Sequence, residues 1–135
     1  MGLLWSLCYN NDAEHRIVLE ALRKVVTTNS AMVCIGDFNV ILSSSDKKGG
    51  VDFLIKLSIK AFQECVSSCG LIDMGFSGPD FTWCNNQQGR RRVWVRLDRA
   101  LCNAEWRLIF PDAHVTHLAQ TGSDHCPIVL HCACG

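Results

Sequence analysis

Met32-Val33-Cys34-Ile35 is a continuous apolar run of strand length that stops abruptly at Gly36-Asp37-Phe38-Asn39. Four apolar residues without polar alternation fit a buried strand, and the glycine with short polar residues behind it marks the strand's end. Upstream, Leu3 to Tyr9 is a second short apolar run, closed by Asn10-Asn11-Asp12, residues that can cap a helix. From Ala13 to about Val26, Ile17, Leu19, Ala21, Leu22, Val25 and Val26 recur near helical spacing, with Glu14, Arg16, Glu20, Arg23 and Lys24 at the polar positions. Strand, helix, strand predicts a layered α/β domain.

With 135 residues the chain is the size of one domain, and 48% hydrophobic residues supply enough apolar surface to exclude global disorder. Thirteen basic and thirteen acidic side chains cancel, so no overall field draws the chain to nucleic acid or to a membrane, and any such binding needs a local patch. Nine cysteines at irregular spacing are an odd number, with no secretory leader before them, which fits a reducing, intracellular setting. The opening apolar segment lacks a basic region and is too short to span a bilayer.

Farther along, Ser43 to Gly50 is polar and glycine-rich and reads as a mobile surface loop. A second helix is predicted between about Leu57 and Cys69, with Ala61, Phe62, Cys65, Val66 and Cys69 on one side and Gly70 as its stop. Phe81-Thr82-Trp83 and Val93 to Leu97 flank a polar connection and predict an antiparallel hairpin. Asn103 can cap a short helix through Ile109, stopped by Pro111. Val115 to Leu118 and Ile128 to Leu130 close the chain as two strands.

Short polar groups interrupt this pattern at strand ends: Asp37 with Asn39, Asp98, and Asp124 with His125. Strand ends are where α/β folds place their sites. Hydrolysis of a phosphate ester needs oxygen ligands for a divalent cation, a group that orients or deprotonates water, and donors for the charge on the phosphoryl oxygens. Two aspartates, an amide and an imidazole backed by an aspartate make up such a set.

Gly36-Asp37-Phe38-Asn39, Arg96-Leu97-Asp98 and Gly122-Ser123-Asp124-His125-Cys126-Pro127-Ile128 occur in the order seen in the endonuclease/exonuclease/phosphatase family, whose fold is deoxyribonuclease-I-like. Cys69 to Trp83 and the stretch from Arg96-Leu97-Asp98-Arg99-Ala100-Leu101 to Glu105-Trp106 resemble the apurinic-type endonuclease domain of plant non-long-terminal-repeat retrotransposons. The resemblance implies a metal-dependent phosphodiester hydrolase acting on DNA, with Mg²⁺ or Mn²⁺ and a nuclear setting. Asp37 then matches the aspartate that activates or orients water, and Asn39 the amide that holds it or the phosphate. Asp98 matches the carboxylate that orients the imidazole of His125, Asp124 a metal-associated or orienting acid, and Tyr9 a phosphate-contacting tyrosine.

The family's N-terminal half, with its asparagine and principal metal-binding glutamate, has no counterpart here. The expectation is therefore the C-terminal half of an α/β sandwich: one mixed sheet with flanking helices, residues 1–135 forming one N-terminally truncated domain. It should bind metal weakly, have impaired activity, and self-associate or take a partner through an exposed apolar sheet face. A noncatalytic nucleic-acid or protein binding remnant, and a phosphatase of the same superfamily, are the alternatives. Arg90, Arg91 and Arg92, with Arg96 and Arg99, form the one basic concentration, with Trp94 inside it. Neutralising phosphates is its functional reading, and period-two geometry puts Arg96 on the face of Asp98. Cys65 and Cys69, four apart on an apolar helix face, read as core, and His114 and His117 as lying on opposite faces of a strand.

Overall fold

In a computed structural model, which describes residues 3–5, 19–24, 30–49, 55–120, 122 and 124–132, the apolar run that dominates the sequence is a strand inside the largest sheet. Strand β2 (Met32–Asp37) pairs in parallel with β1 (Leu3–Trp5) and antiparallel with β7 (Asp98–Cys102). On the far side of β7 lies β4 (Ile72–Asp73), giving the order β1-β2-β7-β4. The run lacks alternation because both faces are covered. Met32 and Cys34, with Leu101 of β7, pack against Leu22 of the helix at residues 19–24 (α1) and against Phe62, Cys65, Val66 and Cys69 of α2 (Ile55–Ser68). Val33, with Ala100 and Cys102, faces Trp106 of α3 (Ala104–Ile109), Ala113 and Val115. Each fully buried side chain of this kind contributes about 1.5–3 kcal/mol of transfer free energy.

The helix ends follow their signals. Gly70 stops α2 with φ +66°, and Leu71 N–H reaches back to the Val66 carbonyl at 3.0 Å, satisfying an orphan carbonyl of the last turn. Of the apolar side expected for α2, Phe62, Cys65, Val66 and Cys69 are buried while Ala61 is exposed. Asn103 caps α3 by accepting the Trp106 N–H at 3.0 Å. Its Oδ1 also accepts from Met32 N–H and its amide donates to the Ser30 carbonyl, so one side chain ties the helix start to the start of β2. The outer parts of the first strand and first helix, together with Tyr9, lie outside the described residues.

The described strands form three sheets. The mixed sheet is the four-stranded one; β3 (Lys47–Lys48), β6 (Trp94–Val95) and β5 (Trp83–Cys84) make a second, and β8 (His114–His117) with β9 (Ile128–His131) a third. The expected hairpin is β5 with β6, and it is shorter than the apolar pattern implied. Beyond Val95 the backbone leaves the ladder: Arg96 N–H donates to the Asp46 carbonyl at 2.7 Å, and the N–H groups of Leu97 and Asp98 both turn to Thr82 Oγ1.

Residues 43–49 depart from the expected mobile loop. Ser44–Asp46 is a 3₁₀ turn capped by Ser43, followed directly by β3, and Asp46 is buried. The cause is an ion cluster. Arg99, with no exposed surface, donates to Asp46 at 3.1 Å and to Asp73 at 3.0 Å, while Arg96 grips Asp73 with both Nη atoms at 2.9 and 2.8 Å. Burial alone would push the Asp73 carboxyl up, but Arg96 and Arg99 outweigh it and hold it below the usual carboxylate range. The polar composition of residues 43–50 concealed a buried charge partner in another segment.

Cys34, Cys65, Cys69, Cys84 and Cys102 are buried as apolar core, while Cys126 is partly covered and Cys132 exposed. Burial pushes the Cys34 thiol up to about 12 and Cys65 up to about 11, so both stay protonated at neutral pH. His114 is exposed and His117 buried, on opposite faces of β8 as the spacing requires. His117 donates through Nδ1 to the Pro79 carbonyl at 2.7 Å and stacks on Phe76 at 4.2 Å. Gly78 makes this approach possible: with φ +97°, a Cβ there would lie 2.3 Å from the His117 carbonyl oxygen. Gly78→Ala therefore meets both a backbone clash and left-handed strain, and should cost about 2 kcal/mol or more, read as a lower urea midpoint with unchanged slope.

Candidate active site

Asp37 ends β2 and Asp98 begins β7, and the antiparallel register sets them directly opposite each other. Phe38 N–H donates to the Leu97 carbonyl at 3.0 Å, holding the two strand ends together where the ladder stops. Beyond Asp37, Asn39 has φ +54°, a left-handed conformation that asparagine tolerates better than most residues. That turn aims the Asn39 N–H at Asp37 Oδ1, 2.8 Å away, and fixes the carboxylate's orientation.

His125 comes from the connection between β8 and β9. It is placed by an isolated antiparallel bridge to Trp83, and Cys126 N–H donates to the Thr82 carbonyl at 2.7 Å. Its Nδ1 lies 2.9 Å from Asp98 Oδ2 and its Nε2 3.7 Å from Asp37 Oδ2. Since a carboxylate only accepts, Nδ1 carries the proton toward Asp98, and Nε2 faces Asp37. The imidazole is about one-third exposed, whereas the two carboxylates are mostly covered. Asp124 is exposed: its Oδ2 accepts from Trp83 Nε1 at 3.1 Å, and its carbonyl from the Cys84 N–H at 3.2 Å.

Electrostatics couple these groups. Burial raises the Asp37 carboxyl above its usual range, and the facing Asp98 adds to the rise, against the lowering effects of the Asn39 N–H and His125. For His125, burial pulls the imidazole down, but the hydrogen bond and charge of Asp98, helped by Asp37 and Asp124, outweigh it and the net direction is up. The arrangement is a concentration of negative charge around one imidazole, able to hold a proton at Nε2 or to accept a cation.

The structure thus brings Asp37, Asp98 and His125 together, with Asn39 on the adjoining turn and Asp124 one residue from the imidazole. Among the described residues these three form the one group of His, Cys, Asp or Glu donors within 4.8 Å of one another, and Asp124 is not part of it. Arg96 is turned the other way. It is 6% exposed and committed to Asp73, because the chain leaves its strand before residue 96 and the period-two extrapolation from Trp94 to Asp98 fails. Arg99 is likewise internal, so the basic concentration shrinks to Arg90, Arg91 and Arg92. These are exposed on and beside the 3₁₀ turn Gly89–Arg91, with Arg92 over the Trp94 ring at 4.3 Å. Sequence reasoning missed Thr82 and Trp83, which contact the Asp98 and Asp124 segments; the apolar pattern marked them only as strand.

The profile of the Endonuclease/Exonuclease/phosphatase family matches residues 6–125. No curated protein sequence matches the chain. Among solved structures, the endonuclease domain of TRAS1, a telomere-specific non-LTR retrotransposon, superposes with a TM-score of 0.68 at 17% identity, over 96% of this chain and 56% of that one. The 3'-5' exonuclease NExo from Neisseria meningitidis gives 0.65 at 19% identity, over 90% and 52%. The AP endonuclease LMAP from Leishmania major gives 0.58 at 22%, over 87% and 41%. The fold is that of DNase I-like domains, and the chain spans about half the length of these structures or less.

The Asp98–His125 pair has a sign that can be checked. A raised folded-state pKa means that its contribution to stability is complete below the ordinary imidazole value of 6.5 and is lost as pH rises through the higher folded value. Asp98→Asn should lower the His125 titration midpoint seen by NMR and remove that part of the stability difference between pH 6 and 8. An unchanged midpoint would contradict the pairing.

Proposed function

The chain belongs to the endonuclease/exonuclease/phosphatase family, and we propose that it is a phosphodiester hydrolase domain of nuclease type, acting on DNA with a divalent cation. The observation that carries this reading is the Asp37–Asp98–His125 cluster at the paired ends of β2 and β7. Asp98 holds His125 in one tautomer, so that Nε2 can contact a scissile phosphate or transfer a proton. Asp37 orients or deprotonates the attacking water, and Asn39 contributes its amide beside it. The solved relatives named above are nucleases by their titles, and another Neisseria NExo structure is bound to a product DNA hairpin, which supports nucleic acid as the substrate class.

The donor chemistry fits a hard cation. Asp37 and Asp98 face each other under burial, an excess of negative charge that a cation relieves, and carboxylate oxygens are the ligands Mg²⁺ or Mn²⁺ takes. Asp37 would hold the ion, with Asp124 as the outer acid, and the ion would stabilise charge on the phosphoryl oxygens. We propose that binding is weak and activity impaired in these 135 residues, because no glutamate joins the cluster among the described residues. Arg90, Arg91 and Arg92 are proposed to neutralise DNA phosphates, with Arg92 steadied on Trp94. Nuclear placement belongs to the same proposal. So does self-association through apolar surface such as Ile72 on the β4 edge and Leu108. No helix among the described residues is long and apolar enough to cross a membrane.

Supercoiled plasmid and an abasic-site duplex, incubated with Mg²⁺, Mn²⁺ or chelator, test the reading. Slow nicking is expected only at millimolar metal, falling about 100-fold or more in His125→Ala. Nicking that survives chelator or His125→Ala would overturn the assignment, and full activity at micromolar metal would overturn the weak-metal part. A folded protein that binds DNA without cutting it would favour the noncatalytic binding alternative.

The arginines are tested separately. Replacing Arg90, Arg91 and Arg92 by Glu should weaken DNA binding and flatten the log–log salt dependence by about 2–3 units. An unchanged slope removes them from the interface.

A further inference from the structure

Between Val95 and Asp98 the chain passes from the three-stranded sheet to the four-stranded one; in that gap the Arg96 N–H goes to the Asp46 carbonyl, while the N–H groups of Leu97 and Asp98 turn away from both ladders. Thr82 fills the gap. It is fully buried, and its Oγ1 accepts from Leu97 N–H at 3.0 Å and from Asp98 N–H at 3.1 Å. Its own N–H donates to the Val95 carbonyl at 3.0 Å, and its carbonyl accepts from Cys126 N–H at 2.7 Å. One residue therefore fixes the backbone of Asp98 through its side chain and the backbone next to His125 through its main chain.

We propose that Thr82 is a positioning residue whose hydroxyl sets the Asp98–His125 contact. The inference rests on the catalytic reading of that dyad but does not need turnover to be tested. The 2.9 Å contact spans two segments that are not hydrogen-bonded neighbours in any one sheet, and Thr82 touches both. Two N–H groups on one oxygen use both of its lone pairs, an arrangement that serine can reproduce and valine, of the same shape, cannot. Trp83, the next residue, extends the device by donating to Asp124 and bridging to His125, so Thr82-Trp83 acts as a template for Asp98, Asp124 and His125, all distant from it in sequence.

The experiment compares Thr82→Val with Thr82→Ser in the 135-residue chain by NMR. It reads amide exchange at Leu97 and Asp98 and the downfield Nδ1–H resonance of His125. In Thr82→Val the two amides should exchange at least tenfold faster and the Nδ1–H resonance should broaden or vanish, while core amides such as Cys34 keep their rates. Thr82→Ser should retain both signatures. If Thr82→Val does not fold, Thr82→Ala against Thr82→Ser makes the same comparison, since these differ only in the hydroxyl. A folded Thr82→Val with both signatures intact overturns the proposal, as does a Thr82→Ser that loses them as fully as Thr82→Val. Where nicking is measurable, kcat should fall in Thr82→Val with little change in KM and recover in Thr82→Ser. A wild-type chain that does not nick counts against the nuclease proposal and leaves the NMR comparison in force.

Discussion

Arg99 has no surface in contact with water, and both of its Nη nitrogens end on carboxylates brought from elsewhere in the chain. Asp46 arrives from the turn before β3 and Asp73 from β4, while Arg96 and Arg99 bracket Leu97-Asp98. Two positive and two negative charges cancel, so the cluster tolerates burial that no single member would. Removing one partner strands a buried charge, at a cost of about 3–5 kcal/mol. The chain crosses from one sheet to another at this point. Arg96 and Arg99 are anchored inward, while Asp98 between them faces Asp37 and His125.

The site is assembled next to that cluster by separate contacts. Strand pairing sets Asp37 opposite Asp98, the left-handed turn at Asn39 orients the first carboxylate, and the His125 segment is docked through Trp83 and Thr82. Asp98 binds one nitrogen of the imidazole and leaves the other toward Asp37. The outcome is a polar centre held by backbone contacts from β2, β7 and the Thr82-Trp83 segment, and such fixed groups are the preorganisation that the proposed phosphate chemistry would use.

Local pattern and local chemistry were legible in the sequence. Met32 to Ile35 read as a buried strand, Gly70 and Asn103 as helix punctuation, and His114 and His117 as opposite-face residues, because each depends on neighbours within a few positions. The polar ends at Asp37, Asp98 and His125 were legible as a set through their flanking motifs. Three readings went astray for a common reason. The segment from Ser43 is mostly exposed as its polarity implied, but Asp46 within it is buried because it meets Arg99, 53 positions away. Arg96 was placed on the face of Asp98 because period two was carried through a break in the strand. Thr82 looked like ordinary strand because nothing near it announces two N–H donors from residues 97 and 98.

The sequence by itself determined the buried strand at Met32 to Ile35, the stop of α2 at Gly70, the cap of α3 at Asn103 and the identity of the chemical groups, since backbone preference and side-chain chemistry are local properties; the strands β3, β4 and β7 were not legible in it. Tertiary structure decided which charges are partners and which are surface, where the chain changes sheets, and which hydroxyl holds the dyad. Those outcomes depend on distance in space, and burial turns a distant charge or N–H from a solvated group into one that must find a partner.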